Sequence, residues 1–120
     1  MSEEAEMPRD QGDLYRLYFD EKQREYLKTL VCDEVIAEHE AKPLGQHSEP
    51  LARLLHYFRH APQAGKLAIK RELRSGTFRI VALSGERGVP PRLVDDAAYE
   101  KVEDAYHALF LKRVEGLMAP

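Results

Sequence analysis

The sequence lacks any apolar run approaching the ~20 residues that a helix needs to cross a bilayer. Its first residues include Glu3, Glu4 and Glu6 where a secretory signal needs basic groups, so no export is expected and the location read from the sequence is cytoplasmic. There is one cysteine, Cys32, which excludes an internal disulfide and permits a reducing compartment. It lies between Val31 and Asp33, an acidic neighbourhood that disfavours a thiolate, so a buried or half-buried structural cysteine is expected rather than a nucleophile. No serine stands in a GxSxG elbow. The P-loop pattern is broken as well. Gln63-Ala64-Gly65-Lys66 has the lysine but not the first glycine or the following Ser/Thr.

What is present fits one small soluble domain: 120 residues, 43% apolar and 32% charged. The net charge of −3 hides a strong segregation. Residues 1–40 carry five basic and twelve acidic groups, whereas residues 41–92 carry ten basic and three acidic ones. Residues 93–120 are acidic again, with three basic and six acidic groups. A basic middle between acidic ends has two readings. Either the acidic helices neutralise it within the chain, or it is a surface for an acidic partner.

Hydrophobic periodicity sets the expected elements. Residues 1–12 read as a disordered acidic tail, and residues 13–118 as a single, mainly helical domain with a β-hairpin at about 66–83. Asp13 is a candidate N-cap, and Leu14, Leu17, Tyr18, Leu27, Leu30, Val31 and Val35 recur at helical spacing. The all-polar stretch Asp20–Glu25 leaves open one long helix or two. Ser48 caps a further helix with Pro50 in its first turn and an apolar stripe of Leu51, Leu54, Leu55 and Phe58. Leu67 with Ile69, and Phe78, Ile80 and Ala82, alternate as strands around a Ser75-Gly76 turn. After a Gly/Pro loop, Asp95 or Asp96 should cap a last helix whose stripe runs from Tyr99 to Leu117. The class is therefore α+β, in the order helix, helix, hairpin, helix.

Candidate chemistry is sparse. His56 and His60 share a helix face, but zinc needs three or four ligands and no Cys or acid completes the set. His56 is expected half-buried, with His60 favoured by a helix C-terminus. Gly85-Glu86-Arg87-Gly88 follows a strand and precedes prolines, so it reads as a turn rather than a KH-type clamp. Glu100, Glu103 and Asp104 read as the solvated first turn of a helix. What remains is a surface of hot-spot residue types. Tyr57, Arg59, Arg79, His107 and Arg113 are the expected partner interface, and Leu54, Phe58, Ile80, Tyr106, Leu109 and Phe110 the expected core. Arg59, Arg79 and Arg113 each follow an apolar patch, where a guanidinium buries its stem and offers its fork to a carboxylate.

Three phrases carry a family likeness: Leu54-Leu55-His56-Tyr57-Phe58-Arg59, Thr77-Phe78-Arg79-Ile80-Val81, and Tyr106-His107-Ala108-Leu109-Phe110-Leu111-Lys112-Arg113. With Tyr18, Glu38-His39 and Pro43-Leu44-Gly45, the chain from about Asp13 to Glu115 resembles the small (alpha) subunit of bacterial N,N-dimethylformamidase. The resemblance implies a mainly helical small subunit packed on a large one in a hetero-oligomer. The large subunit would hold mononuclear iron through two tyrosines and a glutamate and hydrolyse dimethylformamide to dimethylamine and formate. It implies no catalytic residue, metal ligand or cofactor in this chain, and neither nucleic acid nor membrane as a partner. Two departures from the family are the short N-terminal tail and a Ser84–Val94 loop rich in Gly and Pro. The competing classes are a winged-helix-like nucleic-acid module, with Arg71, Arg74 and Arg79 as wing contacts, and a free helical adaptor.

Overall fold

The computed structural model describes residues 11–61 and 65–119, and side chains from Tyr18 onward. Most of the expected acidic tail therefore lies outside the described residues. Helix α1 spans Gln11–Leu30 and α2 spans Asp33–Ala41. Asp13 falls inside α1 rather than at its cap. The polar stretch Asp20–Glu25 stays helical, because charged residues with long side chains are good helix formers when solvated. The break comes later, at Val31 and Cys32. Cys32 is extended (φ −155°, ψ 168°), and Asp33 and Glu34 open a new helix where the dipole favours acids. The corner turns Leu27 and Val35 into the same core. It also leaves Cys32 exposed, which corrects the expectation of a buried thiol.

Helix α3 spans Glu49–Arg59, and its stripe of Leu51, Leu54, Leu55 and Phe58 is buried as a unit. Ser48 occupies the N-cap, but its hydroxyl does not cap α3. It donates instead to Glu38 Oε1 (2.6 Å), while its backbone N–H donates to Glu38 Oε2 (2.7 Å). One carboxylate thus ties the start of α3 to α2. The Glu38 pKa is lowered by these two hydrogen bonds.

Strands β1 (Leu67–Arg71), β2 (Phe78–Ala82) and β3 (Arg92–Leu93) form one antiparallel sheet in that order, with Ile69 opposite Ile80. The third strand was not expected, since two residues directly after Pro90-Pro91 give no alternation to read. Helix α4 spans Val102–Met118, later than Asp95 or Asp96 would start it. Asp95 accepts the Ala97 N–H (3.0 Å) and pairs with Lys112 (2.8 Å), and Tyr99 exchanges two backbone hydrogen bonds with Phe78. The chain stays extended through Tyr99 because β2 takes its backbone groups before a helix can.

One cluster of Leu27, Val35, Leu51, Leu54, Leu55, Phe58, Phe110, Val114 and Leu117 joins the four helices. Ile80 and Leu109 are also buried. Tyr106 corrects the expected core: it is 39% exposed. The buried arc of α4 passes through Ala105 and Leu109, which leaves Tyr106 at its rim. Two variants separate core from rim. Leu54→Ala is expected to cost about 2–5 kcal/mol in urea unfolding. Tyr106→Ala should stay within about 0.5 kcal/mol.

Candidate interaction surface

Helix α1 and the C-terminal ends of α3 and α4 meet β1 around a groove of about 280 Å³. Phe58, Leu67 and Leu117 supply its apolar lining, and Arg24, Lys66, Lys112 and Arg113 its charge. Tyr57 lines it too, and its hydroxyl donates to Asp20 (3.2 Å). Burial, then the Asp20 carboxylate, raises the tyrosine pKa. Lys66 Nζ donates to the Arg59 carbonyl (2.6 Å) and so satisfies an orphan acceptor at the end of α3. Arg113 Nη2 donates to the Leu67 carbonyl (2.9 Å) and ties α4 to the sheet. Burial, then the nearby Arg59 guanidinium, lowers the Arg113 pKa. One guanidinium is thus fixed at a half-apolar site, and Lys66 ties the end of α3 that carries Arg59 to its rim. Such a site favours a carboxylate or another oxyanion over a neutral group.

The five expected interface residues thus fall in three places. Tyr57 and Arg113 line the groove, and Arg59 stands exposed beside it. Arg79 lies apart, on β2, in a second basic concavity with Lys70, Arg71 and Arg74. His107 lies on α4 against α2, where its Nδ1 is 2.9 Å from Nδ1 of His39.

His39 is the residue that sequence reading left without a role. It is 2% exposed, stacked on Phe110 at 4.1 Å between ring centroids and flanked by His107 and His47. Burial first, then the charges of His107 and His47, lowers its pKa to about 4. In the Nδ1–Nδ1 contact one ring donates and the other accepts, so at least one must be neutral. Glu40 reaches His107 Nε2 at 4.0 Å from the other side. The signal for burial was the four-residue step from Val35, which puts His39 on the core face of α2.

None of the described residues forms a group of three or more His, Cys, Asp or Glu fit to hold a metal ion. The His56 and His60 rings lie tilted against each other at 4.1 Å, but His60 Nδ1 bonds the His56 carbonyl, and both are exposed, which corrects the half-buried expectation for His56. Glu103 and Asp104 are solvated in the first turn of α4. Ser84 closes the Gly85–Gly88 turn through hydrogen bonds to Glu86 and Val89. Among the described residues no helix is long and apolar enough to cross a membrane.

The His39 pKa gives a signed expectation. Its folded value lies below the ordinary 6.5, so its contribution is fully present above about pH 6.5 and is lost as pH falls toward about 4. The limiting slope is about 1.4 kcal/mol per pH unit. Urea unfolding from pH 6.5 to 5 should show stability falling in the wild type. His39→Phe, which keeps the stack on Phe110, should flatten that slope.

The chain matches the family model described as "N,N-dimethylformamidase alpha subunit" over residues 14–120. It is 38% identical to the N,N-dimethylformamidase alpha subunit of Paracoccus aminophilus over 120 aligned residues, covering 96% of this chain and 83% of that one. It is 33% identical to the alpha subunit of the same name from an Alcaligenes species, over 92% of this chain and 86% of that one. By the extent of these matches, the chain belongs to the N,N-dimethylformamidase alpha-subunit family.

Proposed function

We propose that this chain is the non-catalytic small subunit of an N,N-dimethylformamidase-like amide hydrolase. It assembles in the cytoplasm with a large subunit that carries mononuclear iron and hydrolyses dimethylformamide to dimethylamine and formate. The observation that carries the proposal is the 38% identity to a named alpha subunit across nearly the whole chain. The chain's own residues support the division of labour. The histidines that come together are spent on each other and on the core. In this reading its role is to pack on the large subunit and stabilise it, through Tyr57, Arg59, Arg79, His107 and Arg113.

The arginines do not all play that role alone. Arg113 already has a partner within the chain, the Leu67 carbonyl. Arg113→Ala is therefore expected to lower the stability of the free chain by about 1–3 kcal/mol. Arg59 stands exposed, so Arg59→Ala should leave the free chain's melting temperature unchanged. Once its fork meets a partner carboxylate, its loss should weaken assembly by about 2–5 kcal/mol.

Co-expression with the large subunit tests the whole reading. Iron and dimethylformamide hydrolysis are expected in the co-purified complex, and neither in the isolated small chain. One firmly bound iron per isolated small chain would overturn it.

A further inference from the structure

The connection between β1 and β2, residues 72–77, presents Leu73 to solvent. At 94% exposure Leu73 is the most exposed large apolar side chain among the described residues. Nothing in the fold uses it. The loop that carries it is nevertheless closely tied. Glu72 N–H donates to the Thr77 carbonyl (2.8 Å) and Gly76 N–H to the Glu72 carbonyl (2.8 Å). The Ser75 and Thr77 hydroxyls bond each other at 2.7 Å. Gly76 takes the positive φ of 72° that closes the turn. Leu73 is thus an apolar knob on a pre-formed loop.

Cations surround it. Arg71 and Arg74 are exposed on either side, and Lys70 stands directly opposite Arg79 across the two strands. Like charges directly opposite in an antiparallel pair destabilise it. Together they line a concavity of about 790 Å³. None of the ion pairs among the described residues engages any of the four. Asp95 lies close enough to Arg79 to feel its charge, but its carboxylate is taken by Lys112 and the Ala97 N–H. Arg71 lies over the Phe78 ring at 5.9 Å, which leaves its charge uncancelled. The hairpin therefore carries a repulsive cluster that an acidic surface would relieve. Arginine is a residue type enriched in interface hot spots, and a loop already held in shape loses little freedom on binding.

We propose that the β1–β2 hairpin is a docking knob for the large subunit. Leu73 enters an apolar socket whose rim supplies carboxylates to Arg71, Arg74 and the Lys70–Arg79 pair. The proposal rests on the preceding reading, that a large subunit is the partner. It adds where contact is made and what chemistry receives it. Nucleic acid is the weaker occupant, because Glu72 sits among the cations where phosphates would pass.

The test uses the full chain with its large subunit. Wild type and Leu73→Met should co-purify with the large chain. Leu73→Asp and the double variant Arg71→Glu/Arg74→Glu should bind it at least tenfold more weakly, with far-UV circular dichroism and melting temperature of the free chain unchanged. Amide hydrogen exchange of wild type should show residues 70–79 becoming protected on assembly. That readout needs no variant to fold. Failure of wild type to co-purify would sink the subunit reading, and this inference with it. Assembly by wild type without protection at 70–79, or with unweakened charge-reversed variants, would overturn only the docking knob. Duplex DNA binding at physiological salt that Arg74→Glu abolishes and the large chain does not compete would assign the hairpin to nucleic acid instead.

Discussion

The Phe110 ring lies against His39 at 4.1 Å, nearly parallel, and meets Phe58 edge-on at 6.2 Å. These two contacts bind α2 and α3 to α4, and the rest of the arrangement follows from them. His39 must be uncharged to lie flat on an aromatic ring out of water, which is why its pKa is driven down. A neutral His39 can then share a proton with His107. The same packing sets the direction of α4, which carries Arg113 to the Leu67 carbonyl and Lys112 to Asp95. The sheet is held to the helices by these polar ties as well as by Ile80.

Charge follows a simple pattern on this scaffold. Half of the ion pairs of the described residues are local: Lys22–Glu25 and Arg53–Glu49 lie within single helices, and surface pairs of that kind contribute little. Only Lys112–Asp95 and the His107–Glu40 approach cross between elements. Among the described residues no acidic group of α1 or α2 forms an ion pair with a cation of the basic middle. Of the two readings of the segregated charge, the outward-facing one agrees better with where the side chains stand. Arg24, Lys66 and Arg113 line one groove, and Lys70, Arg71, Arg74 and Arg79 the concavity at the hairpin.

Much of the fold was legible because apolar spacing speaks directly about burial. The α3 stripe, the two alternating strands and the Leu109-to-Leu117 face could be read from periodicity, but a tight Ser75-Gly76 turn would have paired Ile69 with Ala82, whereas the longer connection pairs it with Ile80. The failures share one cause: a polar side chain or an extended backbone found a better partner far along the chain. Ser48 gave its hydroxyl to Glu38 instead of capping, Asp95 went to Lys112 instead of starting a helix, and Tyr99 joined β2. Local propensity carries no information about such partners. The interface candidates were legible as residue types but not as a constellation. The fold disperses Tyr57, Arg79 and His107 over three regions, and the buried His39 carried no composition signal.

Topology alone would have pointed elsewhere. Among the described residues three helices precede the hairpin, which is the order of a winged helix. Fold order does not decide function; the chemistry presented at the surface does. A wing that tracks a phosphate backbone needs cations and gains from flexibility. This hairpin is held rigid by its own hydrogen bonds and displays a leucine at its summit, with Glu72 among its arginines. Those features suit a shaped protein socket, where an apolar contact fixes position and charge fixes register. The proposed partner rests on family membership, and the chemistry of the hairpin gives the proposed place of contact.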